Sequence, residues 1–474
     1  MSSKKSIHWF RQDLRLFDNP GLLSASRNGS VLPVYILDDK SAGEFRMGAA
    51  SRWWLHYSLE SLNRSLQDKL ICLSGNPVSL IKQLLEQYEI DSVTWNRCYE
   101  PWQIARDKSI KSELEASGIE VLTFNASLLW EPWQVLKKDQ TPYRVFTPYY
   151  RRGCLAQASP REPLSAPDSL QIIDARDDKN NISSLALLPD LVWPEKLEKY
   201  WVIGEEGAHN ALAGFLDQGI NDYKEGRNFP ARNNVSRLSP HLHFGEISAN
   251  QVWYAARARS DNENTAHFCT ELGWREFAHS LLYFFPELPR KNLQERFNGF
   301  PWQENSEHLR LWQQGQTGYP IVDAGMRELW ETGLMHNRVR MIVGSFLVKN
   351  LLLHWHHGER WFWDCLVDAD LANNSAGWQW IAGCGADAAP YFRVFNPVTQ
   401  GERFDAAGDY TLRYIPELKE LPKKYLFCPW TAPDAVLKNA GVTLGEDYPL
   451  PVVDLKYSRE RALEAFKSTR RESS

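Results

Sequence analysis

The segment DADLANNSAGWQW, residues 368 to 380, places side chains that can take part in chemistry unusually close together. It holds two carboxylates, Asp368 and Asp370, followed by two adjacent amides and two tryptophans. Indole rings bury large apolar areas but need a partner for their N–H, whereas carboxylates and amides are costly to bury unless each polar group is hydrogen-bonded. Neither core packing nor solvent exposure explains this mixture. The segment therefore indicates a large, partly polar ligand.

Two further segments put polar and apolar groups together at helical spacing. In CTELGWREF, Glu271 and Trp274 are three residues apart, so they share one face of a predicted helix. In LMHNRVRM, Asn337 and Met341 are four residues apart and two arginines lie beside them. A structural role, in which these groups tie helices together, explains any one of them taken alone.

The segment YKEGRNFPARNNVSRLSPHLHFGEIS combines cationic, aromatic and hydroxyl groups ahead of a predicted helix. Its candidate ligand-binding residues are Tyr223, Arg227, Ser236 and Ser239. Ser-rich backbone at the start of a helix is suited to binding phosphate. The same residues are equally suited to an N-cap, so both interpretations stay open.

The composition of the 474 residues, with 43% hydrophobic and 24% charged residues, is that of a globular protein, and the length predicts two domains. The formal net charge is -5, so a nucleic-acid partner would have to be bound by a local basic patch. The unusual feature is the number of tryptophans, which is 20.

The seven cysteines show no C-x-x-C pair and no metal-ligand spacing, which is typical of free thiols in a reducing cytosol. The N-terminal sequence MSSKKSIHWF lacks the apolar core of a signal peptide. The most apolar run, near MIVGSFLVKNLLLHW, is interrupted by Lys349 and too short to span a bilayer. We therefore expect a cytoplasmic protein without a metal site or a membrane partner, and we expect a monomer.

Short apolar runs alternate with longer amphipathic runs from residue 6 to about residue 125. The apolar runs are SIHWF, VLPVYIL, LICLS, SVTWN and IEVLTFN. This alternation predicts a Rossmann-like α/β domain with a parallel sheet and crossover helices. The chain contains neither a G-x-G-x-x-G sequence after the first strand nor a Walker A sequence, so no nicotinamide site or P-loop is indicated.

The second half of the chain is predicted to be all-α. A segment rich in Pro, Ser and Asp precedes it and has no sustained period, which is typical of a connector. One predicted helix ends at Gly333. A second, LMHNRVRMIVGSFLVKNLLLHWHHG, ends at Gly358 and is apolar nearly all round, so we expect it to be buried at the centre of the domain. The predicted organisation is an α/β domain at residues 1–130, an interdomain linker at 131–200 and an all-α domain at 201–474.

These segments resemble the DNA photolyase/cryptochrome family. The likeness is carried by SRLSPHLHFGEIS, ELGWREF, TGYPIVDAGMRELWETGLMHNRVRM, DADLANNSAGWQW and AAPYFRVFNPVTQGERFD, and by HWFRQDLRLFDNPGL near the N-terminus. The motifs are long, ordered and numerous, and they extend over nearly the whole chain. The resemblance implies an N-terminal α/β antenna domain and a C-terminal helical domain that holds a U-shaped FAD, which would be the ligand of the 368 to 380 segment.

The resemblance also assigns flavin-binding residues. Asp368 and Asp370 match the acids beside the flavin ring and ribityl chain, and Asn374 matches the amide that faces flavin N5. Arg340 matches the arginine that pairs with the first of those acids. Where the family usually has Thr this chain has Val235, so one hydroxyl contact to phosphate is lost, although backbone N–H groups can still bind the anion. The diphosphate-binding loop matches Tyr223, Val235, Ser236, Arg237, Leu238 and Ser239.

Three further sets of residues match the family's functional positions. Trp302, Trp355 and Trp378 match the tryptophans that deliver electrons from the surface to the photoexcited flavin, and ordinary core packing is the alternative role. Photolyases take their target out of the base stack, so the extruded lesion needs aromatic faces and polar edges. The lesion pocket matches Glu271, Trp274, Asn337, Met341 and Trp380, and the phosphate contacts match Arg227, Arg338 and Arg403.

The member of the family is indicated by four positions. Plant-type cryptochromes carry Asp at the position of Asn374, no Met at the position of Met341 and usually Tyr at the position of Trp380. Six-four photolyases have histidines at the positions of both Asn337 and Met341, and the DASH group has Gln at the position of Met341. The Asn and Met pair therefore indicates a deoxyribodipyrimidine photo-lyase, which repairs cyclobutane pyrimidine dimers in DNA by electron transfer from photoexcited reduced FAD. The segments GWREFAHSLLYFFPE, RWWLHYSL and WFWDCLVDAD resemble the class III branch most, with class I close to it. The alternatives are a bacterial cryptochrome that acts as a blue-light receptor, and a non-enzymatic flavoprotein that binds DNA.

The resemblance indicates the identity of the antenna chromophore less directly. Where some folate-binding relatives have Asn-Glu, this chain has Trp102 and Gln103. We expect methenyltetrahydrofolate bound by a different contact set, with a deazaflavin as the second candidate.

Overall fold

The computed structural model describes residues 4–177, 179–188, 193–388 and 392–471. The side chains of residues 194, 195, 470 and 471 are outside this description. Residues 389 to 391, which belong to the family-like motif AAPYFRVFNPVTQGERFD, also lie outside the described residues.

The five predicted strands form one sheet in which all neighbouring strands are parallel, in the order β3-β2-β1-β4-β5. Successive residues alternate between two buried clusters, since Val31, Tyr35 and Leu37 belong to one cluster and Leu32, Val34 and Ile36 to the other. Parallel strands covered on both faces are largely apolar, and the alternation of such runs with amphipathic runs predicted this sheet. The strands are β1 (Lys4–Phe10), β2 (Gly29–Leu37), β3 (Ile71–Ser74), β4 (Ser92–Asn96) and β5 (Glu120–Phe124).

The helices that alternate with these strands confirm the α/β prediction. Two of them begin with an asparagine cap followed by proline: Asn19 accepts from the Leu22 N–H at 3.0 Å, and Asn76 accepts from the Ser79 N–H at 3.2 Å. The helices of this region are α1 (Pro20–Asn28), α2 (Asp39–Ala42), α3 (Ala49–Ser65), α4 (Pro77–Tyr88) and α5 (Pro101–Ala116).

The rest of the described chain is largely helical and has no named strand after β5. The predicted helix end at Gly333 is confirmed, because Gly333 has a left-handed φ of 69° and its N–H caps the Leu329 carbonyl. These helices are α6 (Phe146–Pro148), α7 (Glu205–Asp217), α8 (Tyr223–Gly226), α9 (Ser239–Phe244), α10 (Ala249–Arg259), α11 (Glu263–Phe284), α12 (Ser306–Gln313), α13 (Pro320–Thr332), α14 (Asn337–Ser345), α15 (Trp355–Cys365), α16 (Leu371–Ala382), α17 (Pro397–Phe404), α18 (Asp409–Tyr414), α19 (Asp434–Asn439) and α20 (Leu455–Arg471).

The prediction of one long buried helix ending at Gly358 is wrong. Helix α14 ends at Ser345, a π-helical segment follows at Phe346–Asn350, and α15 begins only at Trp355 and continues through Gly358. Leu352 interrupts the helical backbone with a left-handed φ of 56°, and its carbonyl accepts from the Gln303 N–H at 2.8 Å. The interruption is thus caused by pairing with a distant segment.

The chain forms two compact units, and the predicted domain boundaries stay predictions. Unit 1 contains the sheet, and its two apolar clusters cover both faces. Unit 2 contains fully buried aromatic side chains, among them Trp312 and Trp355. It also contains the buried Asp323, whose carboxylate accepts hydrogen bonds from the Thr317 and Gly318 N–H groups and from the Tyr448 hydroxyl. Unit 1 comprises residues 1–220, 236–286 and 367–372, and unit 2 comprises residues 221–235, 287–366 and 373–474.

Two general expectations can be compared with the described residues. All seven cysteines are free thiols, and six of them are buried. Within the described part of the chain, no helix has the length and apolar character needed to cross a bilayer.

Replacing Gly245 by Ala should lower the free energy of unfolding by about 1 to 3 kcal/mol, because the residue has a left-handed backbone and an added methyl group would overpack its surroundings. Gly245 ends α9 with a φ of 70°, and its Cβ would lie 2.1 Å from the Gln12 carbonyl oxygen. Urea unfolding measures the change. Gly214→Ala is the matched control, because it lies within α7 with nothing within 4 Å of an added Cβ. A Gly245 variant as stable as this control would contradict the argument.

Candidate active site

Asp368 of the 368 to 380 segment is held by the start of α9. The Ser239 hydroxyl donates to Asp368 Oδ2 at 2.6 Å. The N-cap position of α9 is Leu238, and α9 has no side-chain cap. The N-cap interpretation of Ser239 is therefore wrong, and its hydroxyl instead orients an acid.

Asp370 is buried between two imidazoles. Its Oδ2 lies 3.4 Å from His243 Nδ1 at the end of α9 and 3.5 Å from His279 Nε2 on α11. Burial alone would raise the pKa of Asp370, but the neighbouring His279 and His243 outweigh it and hold the pKa well below its ordinary value. Asp370 is therefore a carboxylate whose position is fixed by two helices of unit 1.

Sequence reasoning missed the partners of Asp370. His243 lies within the motif SRLSPHLHFGEIS and His279 lies two residues after ELGWREF, but neither spacing nor composition indicated their contact with the acid. Glu100 was missed as well: it accepts from Trp102 Nε1 at 2.6 Å, and burial together with the charge of Asp370 raises its pKa. Unit 1 thus contains one acid kept ionised and a nearby acid pushed towards its neutral form.

The loop predicted to bind diphosphate has an unusual backbone. Arg237 has a left-handed φ of 54°, and its guanidinium lies 4.6 Å from the centroid of the Trp201 ring. The Leu238 N–H reaches the Ser236 hydroxyl at 3.4 Å, while Val235 and Ser236 are half-buried. Non-glycine residues in the left-handed region are concentrated at functional sites. This backbone suits the predicted presentation of N–H groups to an anion.

Trp274 on α11 is part of a parallel stack of rings. Its ring centroid lies 3.7 Å from that of Phe146 with an interplanar angle of 9°, and Phe146 lies 5.7 Å from Tyr150 at 10°. Trp274 and Glu271 are both half-buried, so they stay accessible. Phe146 was missed by sequence reasoning, because it stands 128 residues before Trp274. The stack provides a supported aromatic platform.

In unit 2, Asn337 and Met341 both lie on α14, as their spacing predicted. Asn337 is the first residue of the helix and is exposed, whereas Met341 is half-buried. The expectation that this helix is buried throughout is thus wrong at its N-terminal end. Trp380 is half-buried on α16. All three side chains are accessible to a ligand.

Arginines converge on the N-terminal end of α14. The pKa of His336 is lowered to about 4 by burial and by the charges of Arg227, Arg338 and Arg340. The pKa of Arg338 is lowered by partial burial and by the like charges of Arg227 and Arg403. The predicted phosphate-contacting arginines therefore form one cationic cluster.

Specific contacts hold the side chains of this cluster. Arg338 Nη2 donates to Asn228 Oδ1 at 2.5 Å, and its guanidinium lies 4.3 Å from the centroid of the Phe404 ring. Arg403 lies 5.0 Å from the same ring, and Arg340 Nε donates to the Met335 carbonyl at 2.7 Å. Tyr223 is buried beside Arg227, whose guanidinium lies 5.4 Å from the tyrosine ring.

The three predicted relay tryptophans all belong to unit 2. Trp378 is buried against Gly358 of α15, where an added Cβ would come within 2.1 Å of the indole. Trp355, three residues before that glycine, is fully buried, and its Nε1 donates to Asn292 Oδ1 at 3.0 Å. Trp302 is half-buried, with its ring 4.3 Å from that of Phe300. The series runs from buried to partly exposed, as an electron relay requires.

Asn374 on α16 is oriented by the backbone of α15. Its Nδ2 donates to the Glu359 carbonyl at 3.0 Å, and the neighbouring Ser375 hydroxyl donates to the Glu359 carboxylate at 2.6 Å. The donor atoms of the amide are therefore directed towards the protein. Its predicted role at flavin N5 stays a prediction.

Family models match most of the chain. The model described as the FAD binding domain of DNA photolyase matches residues 268–468, and the model described as DNA photolyase matches residues 6–168. A deoxyribodipyrimidine photo-lyase of Agrobacterium fabrum is 46% identical over 473 residues, which cover 98% of this chain and 98% of that protein. Cryptochrome-2 of Arabidopsis thaliana is 38% identical, with coverage of 98% and 79%.

A solved structure agrees with these matches. The crystal structure of a bacterial class III photolyase from Agrobacterium tumefaciens superposes with a TM-score of 0.95 at 45% identity, covering 99% of this chain and 98% of that one. The sheet, the helical region and the matched models define an α/β flavoprotein with a helical FAD-binding domain. The chain belongs to the DNA photolyase family, as its motifs predicted. The expectations of a photo-lyase and of FAD as cofactor are confirmed.

The residues present fit FAD. A diphosphate needs backbone N–H groups and cations, which the loop around Arg237 supplies. Polar flavin and ribityl groups need fixed hydrogen-bonding partners, and Asp368 and Asp370 are held in place by Ser239 and by the two histidines.

His336→Asn should reduce the loss of stability on acidification. The folded pKa of His336 is about 4 and its ordinary value is 6.5, so the unfolded chain binds more protons between these values and stability falls as pH falls. Between pH 7 and pH 5 this histidine should cost roughly 2 kcal/mol. Asparagine keeps the cap that His336 Nδ1 forms with the Arg338 N–H, but it does not titrate.

Urea unfolding of wild type and variant at several pH values measures this difference. The expected result is a shallower pH dependence in the variant with similar stability at pH 7. Parallel curves over the acidic range would contradict a neutral His336 in the folded protein.

Proposed function

We propose that the protein repairs cyclobutane pyrimidine dimers in DNA by light-driven electron transfer. The observation that carries this proposal is the arginine cluster at the start of α14, directly beside Asn337 and Met341. A phosphate-binding surface thus adjoins the two residues that distinguish this type of repair site. Relatives that are deoxyribodipyrimidine photo-lyases support the same activity.

DNA binding follows from the charge of the cluster. The like charges of Arg227 and Arg403 help to lower the pKa of Arg338, and an anionic partner would stabilise the three arginines together. The chain has a formal net charge of -5, so this local cluster, rather than overall charge, would attract the DNA backbone. Arg227, Arg338 and Arg403 would contact phosphates and make binding dependent on salt concentration.

The lesion would be bound by aromatic faces and polar edges. Trp274, supported by Phe146, offers a face for an extruded base, and Trp380 offers a second one. Glu271 and Asn337 would hydrogen-bond to the pyrimidine edges. Met341 would fill irregular apolar volume without offering a proton, which suits splitting of a cyclobutane dimer better than repair of a six-four product.

FAD, when bound in its reduced form and excited by light, supplies the electron for splitting the dimer. The protein's own residues orient it: His243 and His279 hold Asp370, and Ser239 holds Asp368. By resemblance, Arg340 and Asn374 would also contribute to the flavin site. Trp378, Trp355 and Trp302 would return electrons from the surface when the flavin is oxidised.

The antenna chromophore is proposed to be methenyltetrahydrofolate, with a deazaflavin as the second candidate. Trp102 and Gln103 replace the Asn-Glu of some folate-binding relatives, and the Trp102 indole is engaged by Glu100 at 2.6 Å and by the Arg106 guanidinium at 4.9 Å. This supports a different contact set for the chromophore. The similarity to a class III photolyase structure supports assignment to that class. A monomer acting in the cytoplasm completes the proposal.

A blue-light receptor is the second candidate, favoured by the 38% identity with Cryptochrome-2 of Arabidopsis thaliana. The two functions differ in the residues that a lesion requires. Asn374, Met341 and Trp380 are all of the repair type, and this favours the photo-lyase.

Purified, reduced protein should repair cyclobutane thymine dimers under blue light and leave six-four products unchanged. Asn337→Ala should weaken lesion binding by roughly 1 to 3 kcal/mol, because the polar partner of the amide is left unsatisfied. Repair is measured by loss of the dimer in an oligonucleotide, and binding by titration in the dark. Asn439→Ala, an exposed asparagine on α19, is the matched control and should bind normally.

The FAD content of both asparagine variants should equal that of wild type. Repair of six-four products alone would refute the proposal. Activity on neither lesion with FAD bound would favour the photoreceptor.

Trp302→Phe should abolish photoreduction of oxidised flavin but preserve repair by chemically reduced protein, because phenylalanine fills similar space and is much harder to oxidise. Flavin absorbance under blue light with an external thiol measures photoreduction. Trp330→Phe, on α13 with a side chain 46% exposed, is the control and should photoreduce normally. If repair by the pre-reduced Trp302 variant fell as far as photoreduction, the role of Trp302 would be structural.

A further inference from the structure

The end of the segment that connects helix α14 to helix α15 lies beside Trp302. The Gln303 N–H donates to the Leu352 carbonyl at 2.8 Å, and Gln303 forms a parallel bridge with Leu353. The left-handed φ of 56° at Leu352 lets the chain turn at this point. This pairing places His354, the residue after Leu353, next to the ring of Trp302.

The imidazole of His354 contacts two of the predicted relay tryptophans. Its ring centroid lies 5.1 Å from that of Trp302, with an interplanar angle of 60°. On the other side it lies 5.6 Å from the centroid of Trp355 and is stacked at 28°. One ring therefore bridges the partly exposed and the fully buried member of the series.

The hydrogen bonding of His354 defines a neutral ring. Its Nδ1 accepts from the His356 N–H at 3.2 Å, so this nitrogen carries a lone pair and the proton of the neutral imidazole is on Nε2. The pKa of His354 is lowered to about 4 by burial and by His356, His357 and Arg360, and Glu304 faces His357. A neutral ring does not repel a positive charge that passes between the indoles.

We propose that His354 is a positioning residue of the electron relay, whose ring fills the space between Trp302 and Trp355 and keeps the two indoles electronically connected. The inference rests on the proposed relay through Trp302. The coupling between two rings weakens steeply as the gap between them widens, so a packed ring at this position favours transfer. The same ring fixes the orientation of Trp302 at the protein surface.

The relay through this contact is balanced in electrons and protons. With FAD bound and photoexcited, Trp378 would supply one electron to it, Trp355 would then supply one electron to Trp378, and Trp302 would supply one electron to Trp355. Oxidised Trp302, which is partly exposed, then releases its indole proton to water. One electron from an external thiol and one proton from water restore it. His354 neither gains nor loses an electron or a proton.

Two substitutions separate the ring of His354 from its capping function. His354→Asn keeps the N-cap of α15 but removes the ring, whereas His354→Phe keeps an aromatic ring and loses the cap. In the asparagine variant, the yield of the long-lived Trp302 radical after a light flash should fall roughly tenfold or more, as expected for a misplaced reacting group. In the phenylalanine variant the yield should stay close to that of wild type. Transient absorption of the FAD-loaded protein measures this yield.

A second readout needs neither light nor flavin chemistry. With 5-fluorotryptophan incorporated, the fluorine NMR signal of Trp302, assigned by its loss in Trp302→Phe, reports the surroundings of the indole in the dark. The signal should shift in the asparagine variant and stay near its wild-type position in the phenylalanine variant.

The outcomes separate this inference from the relay on which it rests. If His354→Asn gave the wild-type radical yield, or if His354→Phe lost as much yield as His354→Asn, the bridging role would be overturned. If Trp302→Phe itself photoreduced normally, the relay would be wrong and His354 would have nothing to connect. Loss of yield in the asparagine variant, rescue in the phenylalanine variant and full repair by both after chemical reduction would support the inference.

Discussion

The buried carboxylate of Asp370 is the constraint on which the proposed flavin site depends. A charge removed from water must be paired, and here His243 on α9 and His279 on α11 supply the partners. Because these contacts come from two helices, the acid cannot move unless a helix moves. The Ser239 hydroxyl contacts the other acid of this segment, Asp368. The segment 367 to 372 is therefore fixed within unit 1 at both Asp368 and Asp370. Breaking one such buried pair is typically far costlier than losing a surface ion pair.

Much of the fold could be predicted from the sequence because its signals are local. A strand covered on both faces is mostly apolar, and all five predicted apolar runs form strands. The end of α13 is equally local, since Gly333 adopts the left-handed conformation that stops a helix. The break at Leu352 could not be predicted in this way. An apolar run shows only that a segment is buried, and the interruption is imposed by Gln303, 49 residues earlier in the chain.

The site residues show the same division between local and distant signals. Motifs assigned Asp370, Trp274 and Arg338 by resemblance, but they did not indicate what holds them. His279 is 91 residues from Asp370, and Phe146 is 128 residues from Trp274. Such contacts depend on how helices pack, and a single sequence carries no direct signal for that. The apolar residues that follow Asn337 along the chain predicted that it is buried. The structure shows that Asn337, in the first turn of α14, is exposed.

The contact between Trp378 and Gly358 has a cost for the helix that contains the glycine. Glycine in the middle of a helix is less favourable than alanine by about 1 kcal/mol, yet here any larger residue would occupy the volume of the indole. Helix α15 is therefore intrinsically weaker at the turn where the ring lies against its backbone. Close approach of an aromatic ring to a main chain is possible only where a side chain is missing. Packing of the Trp378 indole against Gly358 compensates for this weak turn. A substitution at residue 358 would therefore change both the stability of α15 and the position of the indole.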